Sequence, residues 1–270
     1  MGAWEDVLAD FATSCVELGS DRDGHGLFFR GHLSERWSLQ PSLARLRGAG
    51  HIEDRFLDSN GRALSMHQRI ENYLYYQLLA RAGHLLPRSP RPWEILFLMR
   101  HHGFPTRLLD WSRSFGVALF FAITRNEVQD AGVASDGAAV WILNPGRLNM
   151  ATRNDTSEVI CYLDTDYPLG YEQYFAHHLG GSYGTFPHAV VAALADAGNE
   201  RIRMQKGAFT LHRDIDAPLE SAFPSCVRKV VIPRIAFGDA DSFLTLAGID
   251  LTTLFPDLDT IAGFLAQEWL

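Results

Sequence analysis

Trp4, Val7, Leu8, Phe11, Cys15 and Leu18 recur at steps of three and four residues, the spacing that lays one apolar stripe along a helix. The chain therefore opens on an amphipathic helix. Leu27 to Arg30 is a short apolar run ended by Gly31, and it predicts a strand. From Ser65 to about Ala82 the residues Ile70, Tyr73, Leu74, Gln77 and Leu78 gather on one side, with a serine able to cap the start and Gly83 after the end. A third helix is predicted from Pro92 to His101, with proline at its first position and Gly103 just past its end. Pro105 then bars helix and forces TRLL to extend. The stretch FGVALFFAIT, Phe115 to Thr124, is apolar on nearly every side and must be buried; Ser112 or Ser114 can cap it as a helix.

Gly137 to Leu143, Ala208 to Leu211 and Val227 to Ile232 read as strands bounded by Asn, Gly, Asp and Pro. Ahead of the second, Arg201 and Arg203 alternate with Ile202 and Met204, so NERIRMQKGAFTLH (Asn199 to His212) reads as an edge strand with one polar face. Ser242 to Leu246 and Asp257 to Leu265 return to helix on either side of Phe255 and Pro256. Helices at both ends with strands between them predict an α+β fold, a mixed central sheet flanked by helices. With no repeat, low-complexity segment or long Pro/Ser-rich linker, one compact domain is expected.

At 270 residues and 47% hydrophobic content, the chain can bury a full core without a disulfide or metal. Cys15, Cys161 and Cys226 show neither disulfide-framework nor metal-ligand spacing, which fits a reducing compartment, and no metal is expected. No apolar run approaches the roughly 20 residues that cross a bilayer. The first residues are acidic where a signal peptide would be basic, so the expected location is cytoplasmic. A net charge of −8 argues against a long basic track for duplex nucleic acid, and any such partner must meet a local basic patch.

The phosphate loop GxxxxGK[ST], GxGxxG after a strand, HExxH and CxxC are all absent. GGSYG (Gly180 to Gly184) matches the GxSxG nucleophile elbow by letter, which makes Ser182 the centre of a possible serine hydrolase. The helical YEQYFAHH before it and Pro187 after it are the wrong frame, and a glycine-rich loop over a ligand is the alternative. His101 and His102 lack partners at metal-ligand spacing and read as helix-terminal residues.

Three separated segments carry more. In FFRGH an arginine at a strand end can hold a phosphate through two parallel hydrogen bonds, and Gly31 admits a close approach by a ligand or another backbone. In HHGFPTRLLDWS, alternation sends Arg107 and Asp110 to opposite faces. The cluster of Asp110, Trp111 and Ser112 suits a ligand site and equally a salt-bridged structural corner. In RIRMQKGAF, Gln205 and Gly207 precede a short strand.

Together FFRGH, WSLQPSL, HHGFPTRLLDWS with VALFFAI, and RIRMQKGAF resemble the FRG domain. The closing VVIPR and LTTLFPDLD extend the likeness, so residues 25–266 are identified as an FRG-like domain behind an N-terminal helix over 1–24. His32 stands where the family usually has glutamine, Arg100 where glutamine is common, and Ser112 where threonine is usual. The arrangement of motifs is in turn similar to that of ADP-ribosyltransferases, which implies a core of that type, NAD as substrate and a macromolecular acceptor, RNA or DNA among the candidates. It also implies a setting in toxins or phage defence, with an antitoxin or regulatory protein as partner. Mapped onto this chain, Arg30 and Gly31 hold the dinucleotide, Ser112 supports the nicotinamide ribose and Gln205 takes the place of the late-strand glutamate. Gln205 can hydrogen bond but cannot act as a carboxylate base, and Asp110 is the residue to supply the charge. Arg107 completes the dinucleotide contacts, and Trp111 and Tyr183 are stacking faces for a base. A catalytically inert nucleotide- or nucleic-acid-binding sensor is the alternative.

Overall fold

The computed structural model of the chain describes residues 2–19, 26–46, 66–86, 88–91, 93–124, 137–153, 163–175, 186–194 and 200–267. The opening stripe folds as α1 (Ala3–Leu18), which buries Trp4, Val7 and Leu18 and ends at Gly19, where a φ of 70° lets the amide turn back to the Cys15 carbonyl. β1 (Phe28–His32) runs through Gly31 rather than stopping at it. α2 (Met66–Ala82) and α3 (Glu94–His101) form where helices are expected, while Ser65 and Pro92, expected at their starts, lie outside the described residues. Gly103 ends α3 as expected: its φ is 78°, and its amide bonds back to the Arg100 carbonyl.

The TRLL segment leads into β2 (Leu108–Ser112), and the apolar stretch after it is α4 (Phe115–Ile123). Neither serine side chain caps that helix, contrary to expectation. Ser114 holds the cap position, and its amide donates to Ser112 Oγ at 3.0 Å. The remaining elements are β3 (Gly137–Leu143), α5 (Pro145–Arg153), α6 (Leu163–Asp166), α7 (Gly170–Tyr174), β4 (Val190–Leu194), α8 (Glu200–Met204), β5 (Gly207–His212), α9 (Leu219–Ala222), β6 (Val227–Pro233), α10 (Phe237–Leu246), α11 (Leu251–Leu254) and α12 (Leu258–Gln267). The expected edge strand ahead of β5 is thus a single helical turn, α8. Five residues are too few for alternation and helical period to be told apart.

Six strands form one sheet in the order β4-β5-β2-β1-β3-β6, and every pairing is antiparallel. The fold is α+β as the element pattern requires, but the sheet is antiparallel rather than mixed. Its helical connections return the chain against the neighbouring strand's direction instead of carrying it across one face to run parallel.

Strand alternation divides the core. One face carries Phe28, Leu109, Trp111, Trp141, Val190 and Ala208, packed with Leu148 of α5 and Leu219 of α9. The other face carries two cores. Val140, Ile142, Val230 and Ile232 pack with α1, α4 and α10, and Leu108, Val191, Phe209 and Leu211 pack with α2, α3 and α7. The division between these two cores falls over β1 and β2. No helix among the described residues is long and apolar enough to cross a membrane.

Candidate functional site

β1 and β2 are neighbours joined by one residue pairing, Phe29↔Ser112, whereas the other neighbouring strands share five or seven. Beyond that point a side chain takes over from the ladder: Arg30 Nη1 donates to the backbone carbonyl of Asp110 at 2.7 Å. A cavity of about 860 Å³ opens here, within the range of about 300–1,000 Å³ typical of small-molecule sites. Phe29, Gly31, Ala118 and Phe121 line it from the α4 side, and Phe97, Ile202 and Phe209 from the α3 and α8 side.

Gly31 is required by the fold. A Cβ there would lie 2.0 Å from the Ala118 carbonyl oxygen and 2.6 Å from the Ala122 amide nitrogen, so the close approach it permits is that of the α4 backbone to β1. Arg30 is aimed by His32, whose Nε2 accepts from Arg30 Nε at 3.0 Å. That bond assigns the proton of a neutral imidazole to Nδ1. Burial, then the Arg30 charge, push the His32 pKa down to about 3, so the ring stays an acceptor at neutral pH. A glutamine at this position would offer the same acceptor through its side-chain carbonyl.

Asp110 is the acidic centre. Arg100 Nε reaches both of its carboxylate oxygens, at 2.8 and 2.9 Å, Arg100 Nη2 closes the fork on Oδ2, and Arg30 Nη1 stands 3.7 Å from Oδ2. Burial alone would raise the Asp110 pKa, but the charge and hydrogen bonds of Arg100, followed by Arg30, hold it below the usual carboxylate range. Burial lowers Arg30 to about 10 against the pull of Asp110, which leaves it charged at neutral pH. Arg36, Arg45 and Arg201 also line the cavity, so the described lining residues include five arginines and one carboxylate, Asp110. In a chain of net charge −8 this is a concentrated local reversal of sign. Arg201 lies over the Phe255 ring at 4.2 Å.

The other expected site residues divide. Ser112 and Gln205 line the cavity, but both are tied into the corner: Ser112 Oγ donates to the Gln205 carbonyl at 2.7 Å, and Gln205 Nε2 donates to the Leu254 carbonyl at 3.2 Å. Gln205 sits in the turn between α8 and β5 rather than on a late strand, because α8 uses the residues before it and Lys206, at φ 48°, makes the turn. Arg107 belongs to no cavity contact. It is buried in a fork with Glu71 of α2, donates to the His212 and Arg213 carbonyls at 2.9 and 3.1 Å, and lies 3.8 Å over the Phe175 ring. The expected dinucleotide contact is a structural ion pair, joined by Tyr171, whose hydroxyl donates to Glu71 at 2.5 Å.

Trp111 also lines the cavity, while its indole packs with the core that holds Phe28, Leu109 and Trp141 and donates Nε1–H to Thr210 at 3.1 Å. Tyr183 and Ser182 lie outside the described residues. His101 and His102 end α3 as expected, and His101 also borders the cavity. Sequence reasoning missed Arg45, Arg100 and Arg201, and also Trp37, a half-buried indole lining the cavity beside His32 at a ring distance of 6.0 Å. Trp37 lies within the WSLQPSL segment, and Arg100 was visible as a departure from the glutamine common there.

The family model of the FRG domain matches residues 25–131, the stretch that contributes Arg30, His32, Trp37, Arg100, Asp110 and Ser112. An FRG domain is identified over that stretch. The match ends ahead of β3, so the continuation of the FRG domain to residue 266 and the Gln205 position fall outside it. No curated protein and no solved structure matches the chain.

Proposed function

We propose that the cavity of this FRG domain binds NAD through its pyrophosphate, and that the domain transfers ADP-ribose from it to a macromolecule. The observation that carries the reading is a cavity of ligand size lined by five arginines and one carboxylate. Guanidinium forks match phosphate oxygens geometrically, and a partly desolvated cavity strengthens each such contact. Arg30, held by His32, meets the phosphates. Trp37 and Phe97 supply faces for the adenine or nicotinamide ring. In the transfer the ribose C1′–N bond breaks and nicotinamide leaves with the electron pair. The positive charge that grows on the sugar is met by Asp110, and an acceptor nucleophile bonds to C1′ and gives up its proton. The acceptor we favour is a nucleic acid, because its phosphates suit the same basic lining. The setting is a cytoplasmic toxin or phage-defence effector, with an antitoxin or regulatory protein as its partner.

One observation favours a second reading, a binding-only sensor: the carboxylate of Asp110 and the amide nitrogen of Gln205 are already engaged within the protein. Incubating the chain with NAD and, in turn, RNA, DNA and cell protein separates the two. Nicotinamide release with added acceptor mass supports transfer. Thermal stabilisation by NAD that Arg30→Ala removes, without turnover, supports the sensor. If Arg30→Ala leaves NAD stabilisation unchanged, both readings of this cavity fail.

A further inference from the structure

Asp110 presents both carboxylate oxygens to the fork of Arg100 and places one of them 3.7 Å from Arg30. That arrangement of one anion between two guanidiniums is the one a phosphate group adopts when arginines hold it. The two side chains come from β1 and α3, and their convergence is fixed from outside the pair, by His32 on Arg30 and by Ser42, which receives a bond from Arg100 Nη1 at 3.4 Å.

The pair can also be reached. The Arg30, Arg100 and Asp110 side chains keep 17%, 25% and 35% of their exposure and line the cavity, whereas the Arg107–Glu71 pair, at 4% and 0%, is closed to any ligand. Arg45 and Arg201 stand near enough for their charges to act on or respond to Asp110. One carboxylate therefore sits in a field that a diphosphate neutralises more fully.

We propose that Asp110 holds the place of a phosphate, and that a pyrophosphate-bearing ligand displaces its carboxylate from Arg100 and Arg30. Ligand entry and release of the carboxylate are then one event, an exchange of ion pairs in which no covalent bond changes. Asp110 faces the rest of the ligand only once the phosphates are seated. This deepens the reading above and rests on it for the identity of the nucleotide, though the exchange itself requires only the diphosphate.

The sign of one substitution tests it. In calorimetric titration of the full chain with inorganic pyrophosphate and with ADP-ribose, Asp110→Asn removes the competing charge and binds both about fivefold more tightly, the equivalent of the ~1 kcal/mol of a partly exposed ion pair. Equal or weaker binding by a folded Asp110→Asn overturns the proposal, because Asp110 would then support the ligand rather than compete with it. Absence of pyrophosphate binding to both proteins overturns it as well. Should Asp110→Asn fail to fold, the wild-type Asp110 carboxyl carbon is followed by NMR during the pyrophosphate titration. A shift that saturates with binding supports the exchange, and a static signal at saturation overturns it. Exchange seen with pyrophosphate while NAD is neither bound nor consumed removes the NAD reading and leaves this one standing.

Discussion

Arg107 and Asp110 are three residues apart, and each forms an ion pair with a helix residue, but the two pairs have different consequences. Glu71 is 0% exposed, and its charge is met by Arg107 and the Tyr171 hydroxyl. Removing one member of such a pair leaves an uncompensated buried charge. Arg107→Ala is therefore expected to lower unfolding free energy in urea by about 3–5 kcal/mol. A loss under about 1 kcal/mol would show that water reaches Glu71 and that the pair is no anchor. That both sit on or beside an extended segment was legible in TRLLDWS. The partner of each was not, because Glu71 and Arg100 read as ordinary polar positions on helices, and only tertiary packing brings a helix residue to a particular strand.

At the scale of elements, the contact that positions the cavity is α4 lying backbone-to-backbone against β1 at Gly31. Gly31→Ala would place a methyl carbon 2.0 Å from the Ala118 oxygen, and neither the helix carbonyl nor the strand is the flexible end of a side chain. Strand and helix must part, at a cost at or above the usual overpacking range of about 1–3 kcal/mol. The expected result is a lower melting temperature, with a further loss of NAD stabilisation because Arg30 moves with the strand. Wild-type melting and binding in Gly31→Ala would mean that α4 is not seated as described. The glycine was readable as a place of close approach, though whether ligand or backbone approached was left open, and the structure gives the backbone. Helices α1 and α2 were legible because each repeats its apolar spacing over two or more turns, α3 from the proline and glycine that flank it, and α4 from an apolar run that follows two serines. One-turn α8 was not, and neither was β4, whose VVAAL is too short and uniform to carry a period.

The molecule as a whole stores two neutral histidines inside its folded form, and this sets how its stability responds to acid. Burial comes first for both in lowering the pKa to about 3, followed by Arg30 for His32 and by Arg107 for His212. His212 Nε2 lies 2.8 Å from the Thr210 hydroxyl, which also takes the Trp111 indole proton, so the ring is an acceptor built into the core. In the unfolded chain each ring regains an ordinary pKa of about 6.5. Above that value neither state binds the proton and the histidines leave stability unchanged. As pH falls below it the unfolded chain takes up protons that the folded chain refuses, so stability declines from about 6.5 down to the folded value near 3. The slope is about 1.4 kcal/mol per pH unit per histidine, or about 2 kcal/mol for each between pH 6.5 and 5. Asp110, whose folded pKa is lowered, adds a loss in the same direction only at still lower pH, below the ordinary carboxylate range. Urea unfolding at half-unit steps from pH 7.5 to 5 is the measurement. His32→Gln, which keeps an acceptor for Arg30 without a titrating ring, should shed about half of the decline while retaining the pH 7.5 stability. A wild-type curve flat to pH 5 would mean that both rings are protonated or solvated in the folded protein, and Arg30 would then be held by something other than a neutral imidazole.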